Sequence, residues 1–151
     1  MPSDLNLSFL HLRGSLLMHL CRLTSLTYLN LRGNQLTSIP DAIGRLTSLT
    51  TLDLFNNQLT TLPDTIGCLT DLMFLDLGCN QITVLSVAIC GLERLEDLSV
   101  RFNQLTCLPD AIDRLMNLKC IDFVENQFSD DEKRRIEAIK DRSFPRASLF
   151  L

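Results

Sequence analysis

Apolar positions along this chain fall in a fixed order. Leu46, Leu49, Leu52 and Leu54 come at spacings of three, three and two, Leu59, Leu62 and Ile66 follow, and the order restarts at Leu69. Leu29, Leu52, Leu75, Leu98 and Ile121 step by twenty-three residues, and so do Leu31, Leu54, Leu77, Val100 and Phe123. The same step carries Asn34 to Asn57, Asn80, Asn103 and Asn126, and Leu36 to Leu59, Ile82, Leu105 and Phe128. The fullest unit reads L-x-x-L-x-x-L-x-L-x-x-N-Q-L-x-x-L-P-x-x-I-G, and its N-Q pair recurs in all five copies.

Spacing within one unit predicts its local structure. Leu52 and Leu54 are two apart, so on an extended segment both point to one side while Thr51, Asp53 and Phe55 point to the other. Burying one such leucine contributes about 1.5–3 kcal/mol, but a lone unit has no second layer to bury it against. Units must therefore stack, with their strands side by side in a parallel sheet. At Asn57 the chain leaves the strand and strands backbone groups inside the coil. A side-chain amide, donor and acceptor at once, can satisfy them, so the ladder Asn34, Asn57, Asn80, Asn103 and Asn126 reads as structural. The return path "LPDTIG" predicts a short helical turn opened by proline and ended by glycine at positive φ. Ser86 stands in for proline in the third unit, and Cys90 and Asp113 for glycine in the third and fourth, so looser turns are expected there.

This pattern resembles the leucine-rich repeat family, with its L-x-x-L-x-L-x-x-N-x-L core. The resemblance implies an α/β solenoid: a parallel β-sheet on the concave face, short helical turns and loops on the convex face, and a C-terminal capping helix. One domain is expected over 1–151. Residues 1–22 form a degenerate N-terminal capping repeat, followed by repeats 23–45, 46–68, 69–91, 92–114 and 115–128, a capping helix 129–142 and a tail 143–151.

The ends read differently from the middle. In "FSDDEKRRIEAIKDR", Ser129 and Glu132 fit a capping box, Asp130 and Asp131 suit a helix N-terminus, and Ile136 and Ile139 offer an apolar stripe to the fifth repeat. This S-x-x-E-K-x-R-I segment is similar to helices that close bacterial leucine-rich repeat proteins. At the N-terminus, Leu10 and Leu12 are taken as the L-x-L pair, with Ser15 in the asparagine position and His11 in the outward column of Asn30. That alignment leaves a return loop four residues short, in a unit expected to fray first.

Bulk properties narrow the function. A net charge of -4 argues against binding nucleic acid through its phosphates, and no apolar run reaches the length of a membrane helix. "MPSDLNLSFLHLRG" lacks the basic-then-apolar order of a secretory signal. Cys21, Cys68, Cys79, Cys90, Cys107 and Cys120 form no C-x-x-C cluster and read as reduced thiols of a cytoplasmic protein, with a Cys68–Cys90 pairing left open. No cofactor or metal motif is present. Cys120-Ile121-Asp122 spells the C-x-D motif of bacterial leucine-rich repeat ubiquitin ligases, but that motif belongs to a separate helical domain for which this chain is too short.

What varies between units is the outward layer. The first outward column is Tyr28, Thr51, Phe74, Asp97 and Cys120; the second is Asn30, Asp53, Asp76, Ser99 and Asp122; the third is Arg32, Phe55, Gly78, Arg101 and Val124, with Phe102 beside it. Aromatics ringed by aspartates and arginines suit a protein-binding surface, since such residues dominate binding hot spots. The expected site comprises Tyr28, Asn30, Arg32, Asp53, Phe55, Phe74, Asp76, Asp97, Ser99, Arg101, Phe102, Asp122 and Val124. The expected function is non-catalytic recognition by a monomer that binds a protein partner and neither nucleic acid nor membrane. The L-P-x-x-I-G-x-L return is shared by Ras-suppressor-like intracellular proteins and by effectors that bacterial pathogens inject into host cells. The compact repeats and capping segment resemble the bacterial kind, for which the partner would be a host protein and "SFPRASLFL" resembles a translocation signal. A rival reading makes the chain a thiol-dependent enzyme subunit using Cys120.

Overall fold

The computed structural model describes residues 3–13 and 17–151. Seven three-residue strands form one parallel sheet in sequence order: β1 (Asp4–Asn6), β2 (Tyr28–Asn30), β3 (Thr51–Asp53), β4 (Phe74–Asp76), β5 (Asp97–Ser99), β6 (Cys120–Asp122) and β7 (Ser148–Phe150). Leu5, Leu29, Leu52, Leu75, Leu98, Ile121 and Leu149 lie in one file across it. The ladder continues past each strand: Leu31 N–H donates to the Asp53 carbonyl at 2.8 Å, and Leu54 N–H to the Asp76 carbonyl at 2.8 Å. Behind the sheet the leucine columns merge into one continuous core.

Opposite the sheet run four 3-10 turns, Asp41–Arg45, Asp64–Cys68, Val87–Gly91 and Asp110–Arg114, each burying one isoleucine. Three expectations about them are corrected. Pro40, Pro63 and Pro109 sit one residue before the turn, at its N-cap. The only glycine at positive φ among the described residues is Gly33, so Gly67 does not end its turn in a left-handed conformation. Gly67 serves a close approach instead, because a Cβ there would lie 2.6 Å from the Ala88 carbonyl of the next repeat. Nor is the Ser86 turn looser: the Ser86 hydroxyl accepts from the Ala88 N–H at 3.1 Å and caps it, a bond proline cannot make.

The asparagine ladder performs the expected work. Asn57 Nδ2 donates to the Leu54 carbonyl (3.0 Å) and to the Leu31 carbonyl of the preceding repeat (3.1 Å), while its Oδ1 accepts from Leu36 N–H (3.1 Å). Asn34, Asn80, Asn103 and Asn126 repeat this arrangement. Just before each asparagine stands a residue with left-handed backbone: Gly33, Asn56, Cys79, Phe102 and Glu125, with φ from 52 to 66.

Both ends depart from expectation. The strand of the first unit is Asp4–Asn6, so its L-x-L pair is Leu5 and Leu7, not Leu10 and Leu12. Leu5 to Leu29 spans twenty-four residues, so this unit is one residue longer than the rest rather than four shorter. Asn6, not His11, pairs with Asn30; His11 lies in the loop with φ 54, its Nδ1 3.2 Å from Gln35 Nε2. Leu10 therefore holds the asparagine position, and Asn34 Oδ1 accepts from Leu10 and Leu12 N–H in its stead. The position assigned to Ser15 lies outside the described residues. A four-residue helix α1 (Leu17–Leu20) leads back to β2.

At the other end, helix α2 (Asp130–Ser143) buries Ile136 and Ile139, with the Ser129 hydroxyl accepting from Glu132 N–H at 3.2 Å. Glu132 does not complete the capping box. Its Oε1 accepts from Leu108 N–H at 2.9 Å and so ties the helix to the fourth repeat. The segment after α2 is no free tail: Phe144 and Ala147 are buried, and Ser148–Phe150 is the seventh strand. "FPRASLFL" is in effect the opening of another unit, with Leu149-x-Leu151 as its L-x-L pair.

Candidate functional site on the concave sheet

Strand alternation sends every second side chain of β2 to β6 out over the concave surface, and parallel pairing sets equivalent positions about 4.8 Å apart. The columns read from the sequence are thereby real rows. Their members do three different things.

The second row is partly structural. Asp53 Oδ1 accepts from Phe55 N–H at 2.9 Å, Asp76 Oδ1 from Gly78 N–H at 2.8 Å, Asp122 Oδ1 from Val124 N–H at 3.2 Å and Asn30 Oδ1 from Arg32 N–H at 2.9 Å. Each side chain closes the turn two residues ahead, as Asx residues commonly do. One oxygen of each aspartate is thus committed and the backbone leaves the other unused. Ser99, in the same row, makes no such bond, and its hydroxyl is shielded from solvent with no partner.

The third row builds a stack. The Arg32 guanidinium lies 4.0 Å from the Phe55 ring centroid and that of Arg101 5.2 Å from it. Arg101 belongs two repeats away, and Gly78 lies between. A Cβ on Gly78 would come within 2.9 Å of Phe55 Cδ2 and 3.0 Å of Arg101 Cγ, so glycine opens the slot in which the two meet. Phe55 is therefore an internal support with its ring covered, and Gly78 is a contributor that the sequence reading passed over.

The first row supplies the open surface. Phe74 is 41% exposed, and no cation lies over its ring among the described residues. Here the sheet forms an open cavity of about 340 Å³ lined by Tyr28, Asp53, Phe74, Asp76, Asp97, Ser99, Arg101 and Asp122, and also by Thr51 and Cys120. Of the expected site residues, Asn30, Arg32, Phe55, Phe102 and Val124 do not line it. Phe102, 48% exposed, projects from the left-handed turn beyond β5.

Charge within the cavity is unbalanced. Arg101 is its sole lining cation; its Nε stands 3.9 Å from Asp122 Oδ2, beyond hydrogen-bond reach, and has no hydrogen-bond partner. Burial pushes the Asp53 carboxyl above its usual range; neighbouring Asp76 adds to this, while Phe55 N–H and Arg32 oppose it. Asp97 is pushed up by burial and by Glu96, against Lys119 and Cys120. The Cys120 thiol is raised by burial, then by Asp97 and Asp122, the opposite of the depressed value a nucleophilic cysteine requires. No group of three or more His, Cys, Asp or Glu among the described residues could hold a metal ion.

Residues 5–140 match the family model of a leucine-rich repeat region. The chain belongs to the leucine-rich repeat family. No curated protein matches it. Among solved structures, a leucine-rich repeat protein of Leptospira interrogans superposes with a TM-score of 0.91 at 34% identity, covering 98% of this chain and 36% of its own. An internalin of Listeria monocytogenes gives 0.82 at 25% identity, covering 97% of this chain and 40% of that one. The ectodomain of the Arabidopsis thaliana receptor kinase GASSHO1/SCHENGEN3, solved in complex with CASPARIAN STRIP INTEGRITY FACTOR 2, gives 0.76 at 36% identity, covering 83% and 16%. This leucine-rich repeat chain thus spans well under half the length of each of the three. The repeats of this family mediate protein–protein interaction and typically carry no catalytic set.

Proposed function

We propose that the chain is a non-catalytic recognition module that holds a segment of a protein partner on its concave sheet. The observation that carries this reading is the cavity over β3 to β5, where a part-exposed aromatic, Phe74, meets carboxylates with an oxygen that the backbone does not use. Solenoids present such extended concave surfaces to ligands. Among similar structures, the GASSHO1/SCHENGEN3 ectodomain was solved with its integrity-factor ligand and a plant peptide hormone receptor with RGF2, so ligands of this class suit the scaffold. A bacterial setting, like that of the Leptospira and Listeria structures, and a host protein as partner are part of the proposal, with a Ras-suppressor-type scaffold as the alternative. A cytosolic site of action is part of the proposal, and the six free thiols are consistent with it.

The test is partner capture by immobilised protein from eukaryotic lysate, followed by the affinity of the purified partner for two variants. Tyr28→Ala/Phe74→Ala alters the concave face; Val84→Ser/Val87→Ser alters exposed positions of the return path. Loss with the first alone supports the reading. Loss with the second alone moves the site to the other side of the coil.

A further inference from the structure

Building on that reading of the concave sheet, we infer that the cavity centred on β4 takes the guanidinium of an arginine from an extended segment of the partner. Phe74 and Asp76 project from the same strand, two residues apart, flanked by Asp53 on β3 and by Asp97 and Ser99 on β5. A planar cation laid against the Phe74 ring meets carboxylates on both sides. Asp53 and Asp76 each retain an oxygen that the backbone does not use, and Ser99 lines the same space.

Charge complementarity selects the occupant. Among the described residues four carboxylates line the cavity against one guanidinium, and Arg101 is already engaged, its Nε 3.9 Å from Asp122 Oδ2 and its guanidinium 5.2 Å from the Phe55 ring. An anionic guest would add to the repulsion between Asp53 and Asp76, and an aliphatic one would bury their charges unpaired. A cation relieves both. Arginine is favoured over lysine because its plane can stack on an aromatic face while its fork pairs with carboxylates. The surface already makes this pairing two rows away, where Arg32 and Arg101 both pack on Phe55. Phe74 offers the same kind of ring with no cation upon it.

Asparagine is a clean probe of the charge. Asn6 and Asn30 occupy the same row and close the same turn through Oδ1, accepting from Ser8 N–H at 3.1 Å and Arg32 N–H at 2.9 Å. Asp53→Asn/Asp76→Asn therefore removes two charges and keeps both turns. The experiment is selection from a random twelve-residue displayed peptide library, followed by affinities of the enriched peptides. They are measured for the native protein, for Asp53→Asn/Asp76→Asn, and for Asp41→Asn/Glu137→Gln, a charge-matched control on exposed positions elsewhere. The expected result is arginine-bearing peptides that lose at least tenfold in affinity to the concave variant, little to the control, and much of their affinity when that arginine becomes lysine. Peptides that need Phe74 and Tyr28 but carry no basic residue would overturn the arginine assignment while leaving concave recognition standing. Peptides indifferent to both faces, or no enrichment, would overturn both.

Discussion

The guanidinium of Arg32 lies 4.0 Å from the centroid of the Phe55 ring, one repeat away, and the Arg101 guanidinium 5.2 Å from it, from two repeats beyond. One aromatic thus joins side chains of three repeats, across a span of four, on the face where backbone ladder bonds are otherwise the main link. A cation over a partly exposed ring contributes about 0.5–1 kcal/mol. Phe55→Leu is expected to lower urea-unfolding stability by about 1–2 kcal/mol. A double-mutant cycle with Arg32→Gln should show coupling of about 0.5 kcal/mol or more.

Gly78→Ala tests the slot between those side chains. The added methyl meets Phe55 Cδ2 and Arg101 Cγ at 3.0 Å or less, and its backbone is not left-handed, so the cost in the folded state is crowding. Overpacking of this kind costs about 1–3 kcal/mol. In an Arg101→Ala background the cost should drop by half or more, read from the same unfolding curves.

The asparagine ladder predicts a gradient. Asn80 is buried and joins two repeats, whereas Asn126, at the last full unit, is half-buried. Each buried backbone group left unpaired costs about 1–3 kcal/mol. Asn80→Ala should lose about 3 kcal/mol in chemical denaturation, and Asn126→Ala clearly less, because Asn126 is itself half-buried and water can enter the space that its amide leaves.

Left-handed backbone at Cys79 carries a strain that its side chain does not relieve. An L-residue with a Cβ disfavours this region by about 1–2 kcal/mol, and glycine does not, though glycine also loosens the unfolded chain. Cys79→Gly is expected to raise stability by about 0.5 kcal/mol. A clear loss instead would show that the Cys79 side chain contributes packing that outweighs the strain.

Asp53 makes a prediction about pH. Its carboxyl is held above the ordinary range chiefly by burial, so the folded state binds its proton more tightly than the unfolded state does. The resulting penalty is present at pH above the folded value and gone below the unfolded value near 4. Asp53→Asn keeps the turn and removes the charge, so its melting temperature at pH 7 should exceed that of the native protein by about 1–3 °C. That difference should vanish as the pH falls below about 4.

The repeat, the inward leucines, the asparagine ladder and the helix begun at Ser129 were all legible in the sequence, because each depends on spacing alone. An L-x-L pair faces one way on any extended strand, and an amide serves any turn that strands backbone groups. Only the tertiary structure decided the rest, since it turns on which residues become neighbours. Leu5-x-Leu7 displaced Leu10-x-Leu12 because pairing to Leu29 sets the register, and a one-residue change of repeat length hides it from a strict period. Ser148–Phe150 became a strand because β6 had a free edge and Phe144 and Ala147 could enter the core. The outward columns could be written down from the period. That Phe55 is occupied by two arginines, that Gly78 makes room for them, and that Phe74 is left open beside unbalanced carboxylates depends on side-chain reach across repeats, which no spacing records.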